Sequence, residues 1–547
     1  MTEEHVVKKN DEGEGNPHWR ITYEDVEGAE LRSGINGAAL HLGQDAASRK
    51  PIARYNPLQD YEGDFTISFW VSGEQLQGLG ARSYGLVSAL SWDQEHVRGW
   101  EIGVQSNGSW YWKASDAELY SYEPTWERQP LRDGDWHHLS MTYAAQHEEV
   151  RLYYDGVSVA TYSVPLLRHS HRIDVIDIPD SNVASTKEAW HQAATMWIGG
   201  KPYRTADGEE ALEREAFPGS IDELWMENRV LSASEIESQY RRHQHALSPA
   251  RAAQVNRMVA RLTNDDAAHQ RLNHEGTIKV MTFNIWNGGR EMGAEMGVAR
   301  VIDVIRDSGA DIIAMQETYG SGPIIADALG YYFYLRSSNL SIMSRYPMEE
   351  TYPFYEPFHC GGVKIQLSEG KYVNVFSIWL HYLADYWGEL FREKDVALEH
   401  MLEGEAERIK ELNAIMKALE PLAARSNEEP LLLCGDFNSS SHLDWIEETR
   451  DLHNGYTFPF PQSIALHEAG YRDTYREVHQ DPALDPCITW PAWEPEDCIG
   501  DRIDFIYAYG DRIQVKQADY IRSHAVRYPS DHAAVIVQLK LSESFFK

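Results

Sequence analysis

A change of periodicity near Gly276 constrains this chain more than any other feature. Before it, from about Trp19 to Tyr240, short runs rich in β-branched and aromatic residues are broken by turn residues: DFTISFWVS, YGLVSALSW, GWEIGVQSNGSWYWKAS, HHLSMTYAA, EEVRLYYDGVSVATYSV and ATMWIGG. That pattern specifies strands without helices, an all-β sandwich over 17–244. Asp155-Gly156, between two such runs, predicts a type I′ hairpin, because glycine adopts positive φ without steric cost. Residues 245–275 lose the strand pattern and read as a charged helical connector. From 276 to 547 strands alternate with amphipathic helices. IKVMTFNIW, ADIIAMQET, KYVNVFSIWLHY, PLLLCGDFN and DRIDFIYAYG have strand character, and VARVIDVIRDSG and GEAERIKELNAIMKALE have helical spacing. Such alternation predicts a layered α/β architecture.

Charge narrows the function. The 547 residues contain 50 Lys plus Arg against 85 Asp plus Glu, a formal net charge of -35. Diffuse attraction to a polyanion therefore does not drive binding, and phosphate chemistry needs a metal ion or a local basic patch. The start, MTEEHVVKKNDEGEGNPHW, has no apolar core of a signal peptide, and no run of about 18 apolar residues follows. The expectation is a soluble, cytoplasmic protein. Four cysteines are too few for a disulfide framework. Cys434, Cys487 and Cys498 have no metal-ligand spacing and read as buried thiols, with a loop disulfide between the last two as the alternative.

Five polar groups stand at the ends of apolar strands: Asn284, Glu317, His381, Asp436 with Asn438, and Asp504 with the pair Asp531-His532. One acid in such a place is ordinarily a helix cap or a solvated loop residue. Five together point to a site, since strand ends in layered α/β folds are rigid and face solvent. Asp436 and Asn438 are two residues apart, so they project from one face and can hold a water and a phosphate oxygen.

The stretches TFNIWN, IIAMQET, IWLHY, LLLCGDFNSS, DRIDFIY and PSDHAAV, in this order, resemble the endonuclease/exonuclease/phosphatase superfamily from about Thr277 to Leu541. The resemblance implies a four-layer α/β sandwich (α-β-β-α) and metal-assisted phosphoryl transfer without a covalent enzyme intermediate. It implies that Glu317, the principal ligand, and Asn284 hold Mg²⁺ or Mn²⁺, since hard cations take oxygen ligands. His532 would serve in acid/base chemistry or contact the phosphate, with Asp531 as its orienting partner. Asp436 would act as base or position the water, Asn438 and His381 would bind non-bridging oxygens, and Asp504 would complete the network around His532. In DRIDFIY the family acid aligns with Asp501 or Asp504. Asp504 is preferred on the related arginine-leucine-aspartate pattern, which leaves Asp501 as a loop residue. Trp286 stands where some family nucleases carry a further acid, which favours a single metal site.

Substrate is read from what surrounds these motifs. Residues 276–547 contain 24 Lys plus Arg and 42 Asp plus Glu, and Tyr319 follows QET where nucleases often place a cation. Tight duplex binding is not expected. Aromatic residues in SIWLHYLADYW and ITWPAWEP suit core packing or a platform for a sugar or base ring. In the first half, SGINGAALHLG, GDFTISFWVS, DGDWHHLSMTY, VRLYYDGVSVA, MWIGG and FPGSIDELWMENRVLSASEIESQY resemble laminin-G-like, concanavalin-A-like jelly rolls. Such sandwiches bind glycans, proteins or Ca²⁺, or brace an enzyme, and Trp70, Trp136 and Trp225 read as core. The expected function is a divalent-metal-dependent phosphoesterase, a phosphodiesterase or phosphomonoesterase, acting on a small or glycan-linked phosphate ester, with the sandwich as an accessory module and no membrane partner. The alternatives are a metal-dependent nuclease and a binding protein whose phosphoesterase half is inert.

Overall fold

The computed structural model describes residues 18–20, 30–42, 53–55, 63–73, 83–93, 96–114, 121–164, 196–200, 202–204, 210–212, 217–247, 276–384, 386–393, 396–493 and 498–542, with isolated residues elsewhere. The chain divides into two compact units, Met1–Val259 and Ala260–Lys547. Most of the expected connector, 250–271, lies outside the described residues. Among the described residues, no helix is long and apolar enough to cross a membrane.

The N-terminal unit is a jelly-roll-like arrangement of two antiparallel sheets. In one, the strands run in the order Glu30–Gly34, Gly37–His41, Gly219–Glu227, Phe65–Gly73, His137–Ala144, Glu149–Tyr154 and Val157–Ser163. The other holds Ala53–Tyr55, Met196–Ile198, Tyr84–Asp93, His96–Val104, Trp110–Ala114 and Ser121–Tyr122. Aromatic contacts join the two: Phe65 lies 6.3 Å from Trp100, and Trp112 lies 4.9 Å from Tyr162. The hairpin at Asp155-Gly156 has φ of 50° and 81°, as its sequence requires. Trp70 is buried with Ile35, Tyr240 and Leu247, and Trp136 packs on that cluster, so both serve the core. Trp225 is half-buried, its indole N–H donating to Glu223 Oε2 at 3.0 Å.

The C-terminal unit has two mixed sheets. The first runs Tyr332–Leu335, Ser341–Ser344, Ile312–Gln316, Thr277–Asn284, Ala534–Leu541 and Ile513–Ile521, with Thr277–Asn284 parallel to Ile312–Gln316. The second runs Met348–Tyr352, Cys360–Ser368, Lys371–Trp379, Leu431–Asp436, Asp504–Tyr509 and Arg472–Asp473. Alternation sorts the side chains. Ile278 and Val280 of the first sheet share a buried cluster with Val373, Val375, Leu432 and Cys434 of the second. The intervening Phe376, Ile378, Leu431 and Leu433 form another cluster with Leu412, Ile415 and Leu419 of the helix Ala406–Ala423. Buried on both faces, LLLCGD has to be an unbroken apolar run. Gly435 within it lies against the neighbouring strand, and a Cβ there would collide with the carbonyl oxygen of Ile378. None of the four cysteines forms a disulfide, Cys360, Cys434 and Cys487 being buried and Cys498 half-buried, so the loop disulfide is absent.

A buried ion network anchors the chain entering the Asp504 strand. Arg502 donates to Asp473 through both terminal nitrogens, at 3.0 and 2.7 Å, and through Nε to Asp444 at 2.8 Å. Arg476 donates to the other Asp444 oxygen at 2.6 Å. Removing one partner of such a network leaves buried charge uncompensated, which costs about 3–5 kcal/mol. Arg502→Ala is therefore expected to lower the stability of the C-terminal unit by about that amount in urea unfolding. Adding Asp473→Ala should cost little more, because the two act as one unit.

Candidate active site

The strand ends gather the polar residues. Asn284 closes its strand opposite Gln316, which places Glu317 beside it, and Ile285 N–H donates to the Gln316 carbonyl at 3.1 Å. In the second sheet Asp436 and Asp504 are direct cross-strand partners. His532 lies just before the strand Ala534–Leu541, held by its N–H on Ser530 Oγ, which itself donates to the Asn284 carbonyl at 2.7 Å. Asn284, Asp436, Asp504 and His532 are all buried.

One carboxamide joins the two sheets. Asn284 Nδ2 donates to Glu317 Oε1 and to Asp436 Oδ2, each at 3.0 Å, and lies 3.4 Å from His532 Nε2. Its Oδ1 accepts from Trp286 N–H at 3.0 Å. Glu317 Oε2 accepts from Asn287 N–H at 2.9 Å, and the Glu317 N–H donates to Asn339 Oδ1 at 2.8 Å. Trp286, Asn287, Glu317, Tyr319 and Asn438 all have positive φ. A residue with a Cβ costs roughly 1–2 kcal/mol in that conformation, and strain of this kind collects where geometry serves function.

His532 Nδ1 bonds Asp504 Oδ2 at 2.9 Å, while Nε2 lies 3.9 Å from Asp436 Oδ2 and 4.0 Å from Asp531 Oδ1. The carboxylate that orients the imidazole is thus Asp504 rather than its sequence neighbour Asp531. Asp531 is instead fixed by Trp490 Nε1, 3.4 Å from its Oδ2. Burial alone would lower the His532 pKa, but Asp504, Asp436 and Asp531 outweigh it and hold the ring cationic well above the ordinary histidine range. Burial raises Asp436, reinforced by Asp504 and opposed by His532, the Asn438 N–H and Asn284. Burial also raises Asp531, with Glu317 adding to it.

The other expected residues fall differently. The strand stops at Asp436, and Asn438 turns to φ 48°, so the two-residue alternation that would have put both side chains on one face does not extend to it. Asn438 N–H donates to Asp436 Oδ1 at 2.9 Å and its amide to the Leu380 carbonyl at 2.8 Å. His381 donates its N–H to Glu411 Oε2 and accepts from Arg408 Nε at its carbonyl, with its ring 5.8 Å from Tyr382. Asp501 precedes the Asp504 strand, outside it as expected, and is buried: it accepts from the indoles of Trp387 and Trp445 and from the hydroxyl of Ser440. Thr489, unremarked within ITWPAWEP, accepts the N–H groups of both Ile503 and Asp504 and fixes the start of the Asp504 strand. Asn339 carries no sequence signal at all, because its partner Glu317 is 22 residues away.

The donor set suits a hard divalent cation. Glu317 offers two carboxylate oxygens, and Asp504 Oδ1 and Asp531 Oδ1 are buried oxygens without a hydrogen-bond partner. A half-turn of the Asn284 amide would bring its oxygen beside Glu317. Ligand atoms of Asp436, Asp504 and His532 also lie within 4.8 Å of one another. In that trio, however, the imidazole Nδ1 is already engaged by Asp504, an arrangement that suits proton transfer better than ligation.

Residues 281–532 match the Endonuclease/Exonuclease/phosphatase family, and residues 48–172 match the Concanavalin A-like lectin/glucanases superfamily. The chain carries an endonuclease/exonuclease/phosphatase family domain. An uncharacterized protein of Caenorhabditis elegans is 30% identical over 291 residues, 47% of this chain and 90% of that protein. Among solved structures, an endonuclease/exonuclease/phosphatase protein of Beutenbergia cavernae is similar at 18% identity and a TM-score of 0.34, covering 49% of this chain and 72% of that one. The human Nocturnin catalytic domain with bound sulfate is similar at 15% identity and 0.34, covering 49% and 94%. TDP2 of Caenorhabditis elegans is similar at 14% identity and 0.34, covering 56% and 85%. The family includes phosphodiesterases, nucleases and phosphatases, and its members generally use divalent metals.

If Asp504 is the group that charges and orients His532, Asp504→Asn will move the His532 titration toward the ordinary value of about 6.5. Asp531→Asn, at the longer distance, will move it less. NMR of ¹³C-histidine protein, with the resonance assigned through His532→Gln, reads both shifts.

Proposed function

We propose that this chain is a divalent-metal-dependent phosphoric ester hydrolase, a phosphodiesterase or phosphomonoesterase acting on a small or glycan-linked phosphate ester. The catalytic domain would span 276–547 on a four-layer α-β-β-α scaffold, joined through 245–275 to an accessory sandwich over 17–244. The observation that carries the reading is the placement of the His532 imidazole, anchored at Nδ1 by Asp504 at 2.9 Å, with Nε2 turned toward Asp436 at 3.9 Å.

The residues then divide the work. The gap of 3.9 Å between His532 Nε2 and Asp436 Oδ2 leaves an oxygen able to reach both. Asp436 orients the attacking water in line with the phosphorus and accepts its proton, and His532 donates to the phosphoryl or leaving oxygen. Before a metal binds, Asn284 Nδ2 keeps Glu317 and Asp436 in register. When bound by Glu317 and Asn284, Mg²⁺ or Mn²⁺ would polarise the phosphoryl oxygen and offset its charge. Asn438 pins the turn that follows Asp436 through its bond to the Leu380 carbonyl, and His381 stands by as a group for non-bridging oxygens. Cytoplasmic localisation and a carbohydrate, protein or Ca²⁺ ligand for the sandwich belong to the same proposal.

His532→Ala and Asp436→Ala are each expected to lower kcat by at least about 10²-fold with much smaller changes in KM, as general acid/base groups do. Activity on bis-p-nitrophenyl phosphate should need added Mg²⁺ or Mn²⁺ and fall in Glu317→Gln. Full turnover in excess EDTA would contradict the metal assignment.

Electrostatics rank the substrates. Tight duplex binding draws on several Lys or Arg phosphate contacts, whereas this half of the chain has 42 acids and 24 bases. At about 0.1 M salt, plasmid nicking should be slow beside small-ester turnover at equal enzyme and metal. Rapid nicking that disappears in His532→Ala would promote the nuclease reading instead.

A further inference from the structure

Two tryptophans at the rim of the site take no part in the hydrolytic network. Trp286 begins four successive residues of positive φ, at 54°, 50°, 73° and 70° for Trp286, Asn287, Gly288 and Gly289. That turn is tied to the site at both ends, by Trp286 N–H on Asn284 Oδ1 and by Asn287 N–H on Glu317 Oε2. The Trp493 ring lies 5.9 Å from the Trp286 ring at an interplanar angle of 51°. Its own segment is tied to the site as well, since Ala492 N–H donates to the Asp531 carbonyl at 2.6 Å.

Of the aromatic residues in SIWLHYLADYW and ITWPAWEP, Trp493 and Tyr382 are exposed. Tyr386, Trp387 and Trp445 are buried in one core cluster, and Trp490 packs against it. Trp493 is 48% exposed beside a site whose reacting groups are buried. An indole left half in water at the mouth of such a site presents a large, flat, apolar surface to whatever enters. Stacking also suits an acidic domain, because it adds affinity without requiring cations.

We propose that Trp286 and Trp493 form a stacking ledge for a planar aromatic ring, such as a nucleobase, carried on the organic group of the phosphate ester. The proposal rests on the phosphoester reading of the adjacent site and names its substrate class. A ring held on the ledge positions the ester next to Asn284, Glu317 and Asp531, the groups to which the two tryptophan segments are bonded. Substrates without a ring lose this contact and keep only the phosphate contacts.

Isothermal titration of the full chain in Mg²⁺ with adenosine monophosphate, ribose 5-phosphate and adenosine tests this. Adenosine monophosphate should bind about tenfold more tightly than ribose 5-phosphate, the order expected for one stacked base. Trp493→Ala should erase that preference while leaving ribose 5-phosphate affinity alone, and Trp493→Phe should restore much of it. Equal affinities for the two phosphates, or a preference untouched by Trp493→Ala, overturns the ledge. Adenosine binding that is lost in Trp493→Ala, with no binding of ribose 5-phosphate, keeps the ledge and overturns the phosphoester reading. No binding of any of the three overturns both.

Discussion

The side chain of Asn284 makes the interaction on which the rest of the site depends. It stands on the first sheet of the C-terminal unit and donates one hydrogen bond to Glu317 on that sheet and another to Asp436 on the second, both at 3.0 Å. Two carboxylates from different sheets are thereby held near one another inside a buried site, where their mutual repulsion would otherwise drive them apart. The apolar cluster shared by Ile278, Val280, Val375 and Leu432 sets the spacing of the sheets, and the amide sets the spacing of the acids. Arg and Lys take no part in the hydrogen bonds of Asn284, Glu317, Asp436, Asp504 or His532 among the described residues. On the proposed reading, the positive charge that a phosphate needs would come from His532 and a bound cation.

The parts of this arrangement that follow local rules were legible in the sequence. The run PLLLCGDFN reads as a strand, and Asp155-Gly156 as a turn with positive φ. Polar residues at the ends of apolar strands point to Asn284, Glu317, His381, Asp436, Asn438, Asp504, Asp531 and His532, of which Asn284, Glu317, Asp436, Asp504 and His532 share one hydrogen-bonded network. The reading failed where side-chain partners are set by tertiary contact. Asp531 looked like the partner of His532 because it is adjacent in sequence, yet consecutive residues diverge, and Asp504, from the other sheet, meets the ring at Nδ1 instead. Asn438 leaves the strand alternation because the chain turns into positive φ after Asp436. Asp501 lies outside the strand as read, but nothing local shows that two indoles and a hydroxyl close over it. Thr489 and Asn339 could not be singled out, since each acts on a partner 14 or more residues distant.

Support for the reacting groups comes from buried polar networks as much as from apolar packing. Arg502, Asp444, Asp473 and Arg476 fix the chain that enters the Asp504 strand, and Thr489 holds the first two backbone N–H groups there. Each member is fully engaged, so the network is rigid, and that rigidity passes to the Asp504–His532 pair. Backbone strain at Trp286, Asn287 and Glu317 is tolerated because the surrounding bonds over-determine it.

The central claim is that Asp504 and His532 act as one unit in hydrolysis, one orienting and charging the other. A double-mutant cycle on kcat for bis-p-nitrophenyl phosphate, comparing Asp504→Asn, His532→Ala and the double variant, tests it most directly. The account predicts that the double variant is no slower than His532→Ala alone, because Asp504 has nothing left to orient. Losses that multiply, with the double variant slower by the product of the two single effects, would show that the residues act independently and would contradict it.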